Sequence, residues 1–492
     1  MEREGKAVLS EPFPTQGDID NLTENAITLV EKLLGDAEVN RTRRDENNRK
    51  RFARLLKDTA AISLTMSLTD EVMRMSSPRR AAKTFRRISK SANVSGLGLL
   101  DYVGIKAISV VSFLLPALVI KVVHQRVRMA AYGIILPAEA ALLSRHIERR
   151  KKDHANLNIN VLGEAVLGEH EAEQRLHSVI SMVQRPEVNY ASVKISAIVS
   201  QLLTIDFQGS VKRISDRLRQ LYRQAQLSNT FINLDMEEFR DLEITVAVFK
   251  QLLDEPEFER MNAGIVLQAY LPESHGVFAD LITWSKVRQA RTGGMIKIRL
   301  VKGANLAMEK AEAELHGWIP APYETKADVD ASYARLIDTA LTPENAIAVR
   351  IGIASHNLFH LAWAIEVARS RGVLHQLDIE MLEGMANAEA LAVVQETGSV
   401  LLYTPVTKHD DFPAAVAYLV RRLDENTSVE NYLRASFEMQ IGNERFTEQK
   451  ERFLHSVSGR HKLSTQSRRH LLVRHDCNAA FKSGHFENQS DG

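Results

Sequence analysis

The residues with the greatest capacity for chemistry lie late in the chain, in Tyr418-Leu419-Val420-Arg421-Arg422-Leu423-Asp424-Glu425-Asn426. Read as a helix, this stretch puts Tyr418, Arg421, Arg422 and Glu425 at i, i+3, i+4 and i+7 on one face, with Val416, Leu419, Val420 and Leu423 opposite. With its apolar face buried, such a helix presents a phenol, two guanidiniums and a carboxylate. Paired guanidiniums suit a ligand carboxylate or phosphate, because each planar fork donates two parallel hydrogen bonds. Taken alone, the pattern equally describes an amphipathic helix with a wet charged face. The elements around it have to decide.

Eight short β-rich runs precede that stretch, at 157–166, 190–196, 231–237, 263–270, 295–303, 346–355, 378–384 and 399–406, each bounded by a segment of helical length and pattern. Strand and helix alternating in this way over roughly 270 residues predict an α/β fold with a closed parallel (β/α)8 barrel. An open doubly wound sheet is the rival, but no run is followed by a phosphate-binding glycine loop. In such barrels functional groups sit at the carboxyl ends of the strands. Polar residues lie at these ends here: Glu164, Lys194, Asp235, Gln268, Tyr270, Arg299, Lys302, His356, Asn357, Glu380, Glu383 and Tyr403. The Arg421 helix begins after Asp410-Asp411-Phe412-Pro413, a capping sequence that follows the eighth run, so its polar face can fold over the barrel opening.

Lys194, Arg299, Lys302, Arg421 and Arg422 outnumber Glu164, Asp235 and Glu425. That surplus suits an anionic cofactor together with a carboxylate substrate. A catalytic metal is not expected, since His356 has no second His or Cys at ligand spacing. Nucleophilic catalysis lacks a Gly-x-Ser-x-Gly elbow, and the single cysteine, Cys477, lies in the tail.

The chain has 492 residues, 45% hydrophobic and 25% charged, with a formal net charge of +1. No global field argues for nucleic acid. One cysteine excludes an internal disulfide and fits a reducing compartment. The first residues lack the apolar core of a secretory signal. The most hydrophobic run, Ala107 to Ile120, is shorter than the about 20 residues that cross a bilayer. The expected division is an N-terminal arm (1–40) with a helical repeat from Ile19 to Leu34, a basic helical domain (41–152), the barrel (153–453) and a polar, His-rich tail (454–492). The basic runs of the second unit read as solvated helix faces, with a membrane-surface role as the alternative.

At these residues the sequence resembles the proline dehydrogenase domain of the bifunctional proline utilization A flavoenzymes. The likeness rests on Tyr-x-x-Arg-Arg-x-x-Glu (Tyr418, Arg421, Arg422, Glu425), the run from Arg299 to Ala304, Ser-Val-Lys-Ile-Ser around Lys194, Ile-Asn-Leu-Asp ending at Asp235, and Ser-His-Asn at Ser355 to Asn357. It implies a distorted TIM-type barrel preceded by helices, with FAD at the carboxyl ends of the strands. It implies oxidation of L-proline to 1-pyrroline-5-carboxylate, with a membrane quinone as acceptor. The implied location is the cytoplasm, or the inner face of the membrane as a peripheral protein. By this resemblance Arg421, Arg422 and Lys194 clamp the proline carboxylate and Glu164 pairs with Arg421. Asp235 hydrogen-bonds Tyr403, whose ring packs with Tyr418 and Leu382 against the substrate ring. Arg299 stabilises the negative charge of the reduced flavin. Asp235, Gln268, Val301, Lys302, Gly303, Thr325, Lys326, His356, Asn357, Glu380, Arg422 and Glu425 hold FAD.

Three departures stand out. Asn305-Leu306 occupies the place of an aromatic pair, Glu380 stands where Gln is common, and the link from the eighth strand to its helix looks longer than in many relatives. No aldehyde dehydrogenase half is legible, although Phe486-Glu487-Asn488 resembles the start of a linker toward one. The chain therefore reads as a fragment, a subunit with such a partner, or a non-catalytic barrel kept as a partner-binding half.

Overall fold

The computed structural model describes residues 16–469 apart from 44, 48, 51–66, 74, 76, 92–98, 132, 163–165, 167, 304, 409–410, 413–414 and 417–431. Glu164, Tyr418, Arg421, Arg422 and Glu425 lie outside the described residues, as does Cys477.

The expected barrel is present. A two-residue strand β1 (Leu136–Pro137) precedes β2 (Ala155–Val161), β3 (Tyr190–Lys194), β4 (Phe231–Asp235), β5 (Ala263–Gln268), β6 (Ile296–Val301), β7 (Val349–Ala354), β8 (Leu377–Leu382) and β9 (Val400–Thr407). Strands β2 to β9 pair in sequence order, and β9 closes on β2 with Ala155 opposite Val400, every pairing parallel. β1 adds to β9. The eight runs read from the sequence fall on these eight strands. They overran several carboxyl ends by a few residues, because polar residues just past a strand do not break the apolar alternation that marks it.

β6 shows how the sequence builds the wall. Ile296, Ile298 and Leu300 point outward to the helices, while Lys297, Arg299 and Val301 point into the lumen. Charged side chains there demand small neighbours. A Cβ on Gly352 of β7 would stand 2.3 Å from a Glu380 carboxylate oxygen and 2.8 Å from the Lys297 stem.

Fourteen helices of more than ten residues frame the barrel among the described residues. They are α1 (Gln16–Asn40), α2 (Pro78–Ser91), α3 (Leu99–Leu114), α4 (Pro116–Ala131), α5 (Ala140–Lys152), α6 (Glu169–Val183), α7 (Phe207–Ser228), α8 (Leu242–Leu253), α9 (Glu273–Thr292), α10 (Leu306–His316), α11 (Lys326–Ala340), α12 (Leu358–Ser370), α13 (Asn387–Thr397) and α14 (Glu444–Gly459). None is long and apolar enough to cross a membrane.

The helical repeat near the N-terminus finds its partner on the barrel. Ala26, Leu29, Val30, Leu33 and Ala37 recur at helical spacing on one face of α1, are buried, and belong to the same core as the strands. α1 lies against α12 and α13, and Lys32 pairs with Glu396 at 2.5 Å. Leu143 and Ile147 bring α5 into that core as well. α2 and α4 form a separate small core through Ala81, Ala82, Phe85, Ile88, Val119, Ile120 and Val123, against which Ile108 of α3 packs.

Candidate active site

The carboxyl ends of the strands converge on a chain of paired charges. Asp235, the last residue of β4, is buried. One of its oxygens accepts from Arg299 Nη1 at 3.1 Å and from Asn233 at 3.0 Å. Its other oxygen accepts from Tyr403 Oη at 2.7 Å. The Arg299 guanidinium also lies 4.6 Å from the centre of the Tyr403 ring, and Asn160 of β2 donates to that phenol. A carboxylate, a guanidinium and a phenol from β4, β6 and β9 thus fix one another's positions.

The chain of charges continues down the lumen. Arg299 Nε is 3.0 Å from Glu380 of β8, and Lys297 Nζ is 2.6 Å from the same carboxylate and 2.8 Å from Asp378. Arg350 of β7 completes the series on Asp378 at 2.5 Å. Burial alone would discharge these groups, yet Glu380, Tyr190 and Asp378 hold the Lys297 pKa above the ordinary lysine range. Burial likewise pulls the Arg299 pKa down, but Glu380 and Asp235 outweigh it and hold the guanidinium above the ordinary arginine range. Asp378 is brought down to about 2, burial being outweighed by Arg350 and Lys297. Alternating opposite charges therefore keep Lys297, Arg299 and Asp378 ionised against burial.

Lys194 closes β3, is buried, and is held by Glu237 just beyond β4. Gln268 ends β5. Its amide nitrogen donates to the Glu237 carbonyl at 3.0 Å, while its carbonyl oxygen is buried with no hydrogen-bond partner among the described residues. Past β6, Lys302 donates to Asp330 at 2.5 Å, and Lys326 reaches the other Asp330 oxygen at 2.9 Å. Burial pushes the Lys302 ammonium down to about 8 against the pull of Asp330. Gly303 has φ +132°, and a Cβ there would strike the Tyr270 ring at 2.4 Å, so this approach is open only to glycine. Thr325 caps α11 through the Asp328 amide at 3.1 Å, and Asn357 caps α12 through the Phe359 amide at 3.0 Å. His356 Nε2 accepts from the Leu382 amide at 3.1 Å, and its Nδ1 has no partner among the described residues. Burial holds this imidazole down to about 4, hence neutral. Val301 and Leu382 end β6 and β8, and Leu382 is partly exposed.

Not every polar strand end serves this cluster. Glu383 is taken up by His146 at 3.1 Å and by Arg150 from α5. Conversely, Lys297, Glu237, Asp330 and Asn160 belong to the arrangement and were not singled out by sequence. For Lys297 a signal exists: it stands two residues before Arg299, so strand alternation puts both on the lumen face. Arg41 also departs from a solvated reading. Its side chain is 10% exposed, pairs with Glu389 at 3.4 Å, and lines a cavity with Asp45, Arg49 and His356.

A sequence profile described as Proline dehydrogenase matches residues 143–435, more than half of the chain and the whole of the barrel wall described above. The chain belongs to the proline dehydrogenase family. Among curated members, the bifunctional protein PutA of Escherichia coli (strain K12) is 29% identical over 316 residues, covering 59% of this chain and 22% of that protein. Proline dehydrogenase 1 of Bacillus subtilis (strain 168) is 26% identical over 303 residues, covering 60% of this chain and 88% of that protein. Among solved structures, proline utilization A from Corynebacterium freiburgense is 48% identical with a TM-score of 0.64, covering 70% of this chain and 34% of that one. The Bdellovibrio bacteriovorus protein, inactivated by N-propargylglycine, is 25% identical with a TM-score of 0.72, covering 87% and 44%. The resemblance to a PutA-type proline dehydrogenase domain thus holds. The chain spans about a fifth of the length of the curated PutA proteins it matches, 22% in the first two.

Proposed function

We propose that this chain is an FAD-dependent proline dehydrogenase domain that oxidises L-proline to 1-pyrroline-5-carboxylate and delivers the electrons to a membrane quinone. The observation that carries the reading is the mutual lock of Asp235, Arg299 and Tyr403 at the carboxyl ends of three barrel strands, in a chain of this family.

The residues present fit such a cofactor. Gln268 Oε1 and His356 Nδ1 are buried polar atoms without partners among the described residues; a ligand that donates to the Gln268 oxygen and accepts from the His356 Nδ1–H would satisfy them. Lys302 and Lys326 share the single carboxylate of Asp330, which leaves positive charge for a diphosphate. FAD, when bound, supplies the acceptor for the hydride that leaves the ring carbon beside nitrogen. The chain's own residues bind, orient and balance charge. Arg421, Arg422 and Lys194 take the substrate carboxylate, with Glu164 pairing Arg421. Tyr403, Tyr418 and Leu382 hold the pyrrolidine ring, and Asp235 fixes the Tyr403 phenol. As the C=N bond forms, the ring nitrogen gives up a proton to solvent. Arg299 would offset negative charge on the cofactor. Asp235, Gln268, Val301, Lys302, Gly303, Thr325, Lys326, His356, Asn357, Glu380, Arg422 and Glu425 would hold the cofactor. An aldehyde dehydrogenase domain or subunit would consume the product, and the cytoplasm, at the inner face of the membrane, is where the quinone is within reach.

Purified protein supplied with FAD should turn yellow, and L-proline should bleach its flavin spectrum. A colourless protein that stays empty overturns the enzyme reading. Arg421→Met should raise the KM for proline at least about thirtyfold, with flavin content unchanged. A second reading, a non-catalytic barrel that binds a partner, draws on Leu306 standing partly exposed at the start of α10 where an aromatic pair is common. Proline:quinone turnover by the pure chain rejects it.

A further inference from the structure

The last helix reaches further into the site than its place in the chain suggests. The sequence reads the residues past 453 as a polar tail, yet α14 runs on to Gly459 and packs against α11 and α12. Phe446 and Phe453 seat it on Phe359 of α12, with ring centres 5.5 and 5.7 Å apart. Such apolar contacts account for the docking of α14. They do not account for two polar side chains beneath it, His360 of α12 and Ser456 of α14, each only 1% exposed.

These two side chains form a one-way series that starts at Lys302. Lys302 Nζ lies 3.4 Å from His360 Nδ1, and His360 Nε2 lies 3.4 Å from Ser456 Oγ. Ser456 donates its own proton to the Phe453 carbonyl at 2.7 Å, one turn back in α14. An ammonium has protons but no lone pair, so Nδ1 has to accept from it. Burial, with Lys302 and Lys326 adding to it and Asp330 opposing, holds the His360 pKa well below the ordinary histidine value, so the imidazole is neutral. Its one proton then sits on Nε2, facing a serine oxygen that can accept it. From Lys302 to α14 every donor meets an acceptor. Among the described residues the groups that face Lys302 are Asp330, Lys326 and Tyr333 from α11 and His360 from α12.

We infer that His360 and Ser456 are positioning residues for the anion site: they fix the Lys302 ammonium between Asp330 and His360, and so make α14 part of what aims it at the cofactor diphosphate. A lysine on a four-carbon stem is otherwise a loosely directed charge. With two of its protons committed to acceptors on two helices, the direction of the third is set. The second acceptor also favours the charged form of a buried amine, which is the form an anion needs. The diphosphate as target rests on the flavin reading, whereas the series from Lys302 to α14 does not.

The test separates the series from simple packing. His360→Phe keeps a ring between Tyr333 and Phe453, whose centres lie 5.5 and 6.0 Å from that of His360, and removes the acceptor. His360→Asn removes the ring and keeps an acceptor, its side-chain oxygen standing near the place of Nδ1. Acetylation of the full chain by acetic anhydride without added FAD, read at Lys302 by peptide mass spectrometry, reports the uncharged amine; the side chain is 21% exposed, so the reagent reaches it. At about pH 7, Lys302 should react about fivefold faster in His360→Phe than in the parent, since a hydrogen bond from a charged group is worth about one pH unit. Ser456→Ala should shift the rate the same way by less. His360→Asn should return toward the parent rate although it is the variant with the lower melting temperature. A parent-like rate in His360→Phe, or rates that follow melting temperature rather than the acceptor, would overturn the inference. With FAD added at about pH 8, the Kd of His360→Phe should be about threefold or more above that of the parent; equal values would remove the positioning role. If the parent binds no FAD, the flavin reading fails, and the acetylation rates still decide the series.

Discussion

Lys302 shows how one residue's burial becomes a functional property. Its ammonium is pushed down to about 8 by burial, with Asp330 pulling the other way. A bound diphosphate would raise that pKa again, because it adds negative charge beside the ammonium. Linkage then fixes the sign: anion affinity is complete below pH 8 and falls as pH rises above it, where the empty protein loses the proton that the complex keeps. FAD titrations at about pH 7 and pH 9 should show binding several-fold weaker at the higher pH. Lys302→Arg, charged throughout, should flatten the profile. A flat profile in the parent protein would remove Lys302 from the anion contact.

At the scale of the element, the barrel lumen depends on ion pairs that cross strands. Lys297 on β6 lies against Glu380 and Asp378 on β8 and is almost wholly buried. Removing one partner of a buried pair strands the other, which typically costs about 3 kcal/mol or more. Lys297→Met should therefore lower stability by about that much in urea unfolding, and adding Glu380→Gln should recover at least half of the loss. Additive losses would mean that the pair does not act as a unit. The same pair gives the Glu380 charge a physical account: a second lumen cation, Lys297, stands beside Arg299 to meet it.

At the scale of the molecule, the barrel is completed by a helix far away in sequence. α1 covers α12 and α13, and Leu33 is fully buried in the common core. Leu33→Ala should cost about 2–5 kcal/mol and lower the urea midpoint of the whole barrel, without a separate early transition. An independent transition for α1 would show that it folds as a detached arm. The cavity between Arg41, Arg49 and His356 exists only because that helix and its continuation dock there.

Local pattern was enough to find the strands. Alternation such as Ile296-Lys297-Ile298-Arg299 marks both the strand and the side facing the lumen, because a strand has a period of two. The family was legible for the same reason, its motifs being short and continuous. Pairing across the fold was not legible. Nothing within β3 says that Lys194 will meet Glu237, nothing within β8 says that Glu383 will turn to Arg150 rather than join the cluster, and nothing in α1 names its partner helices. The sequence by itself determined which elements form and which face of each is polar. Only the closed barrel decided which charges meet, because that depends on the register of eight strands and on bringing together residues as near as Lys194 and Glu237 and as far apart as Arg150 and Glu383.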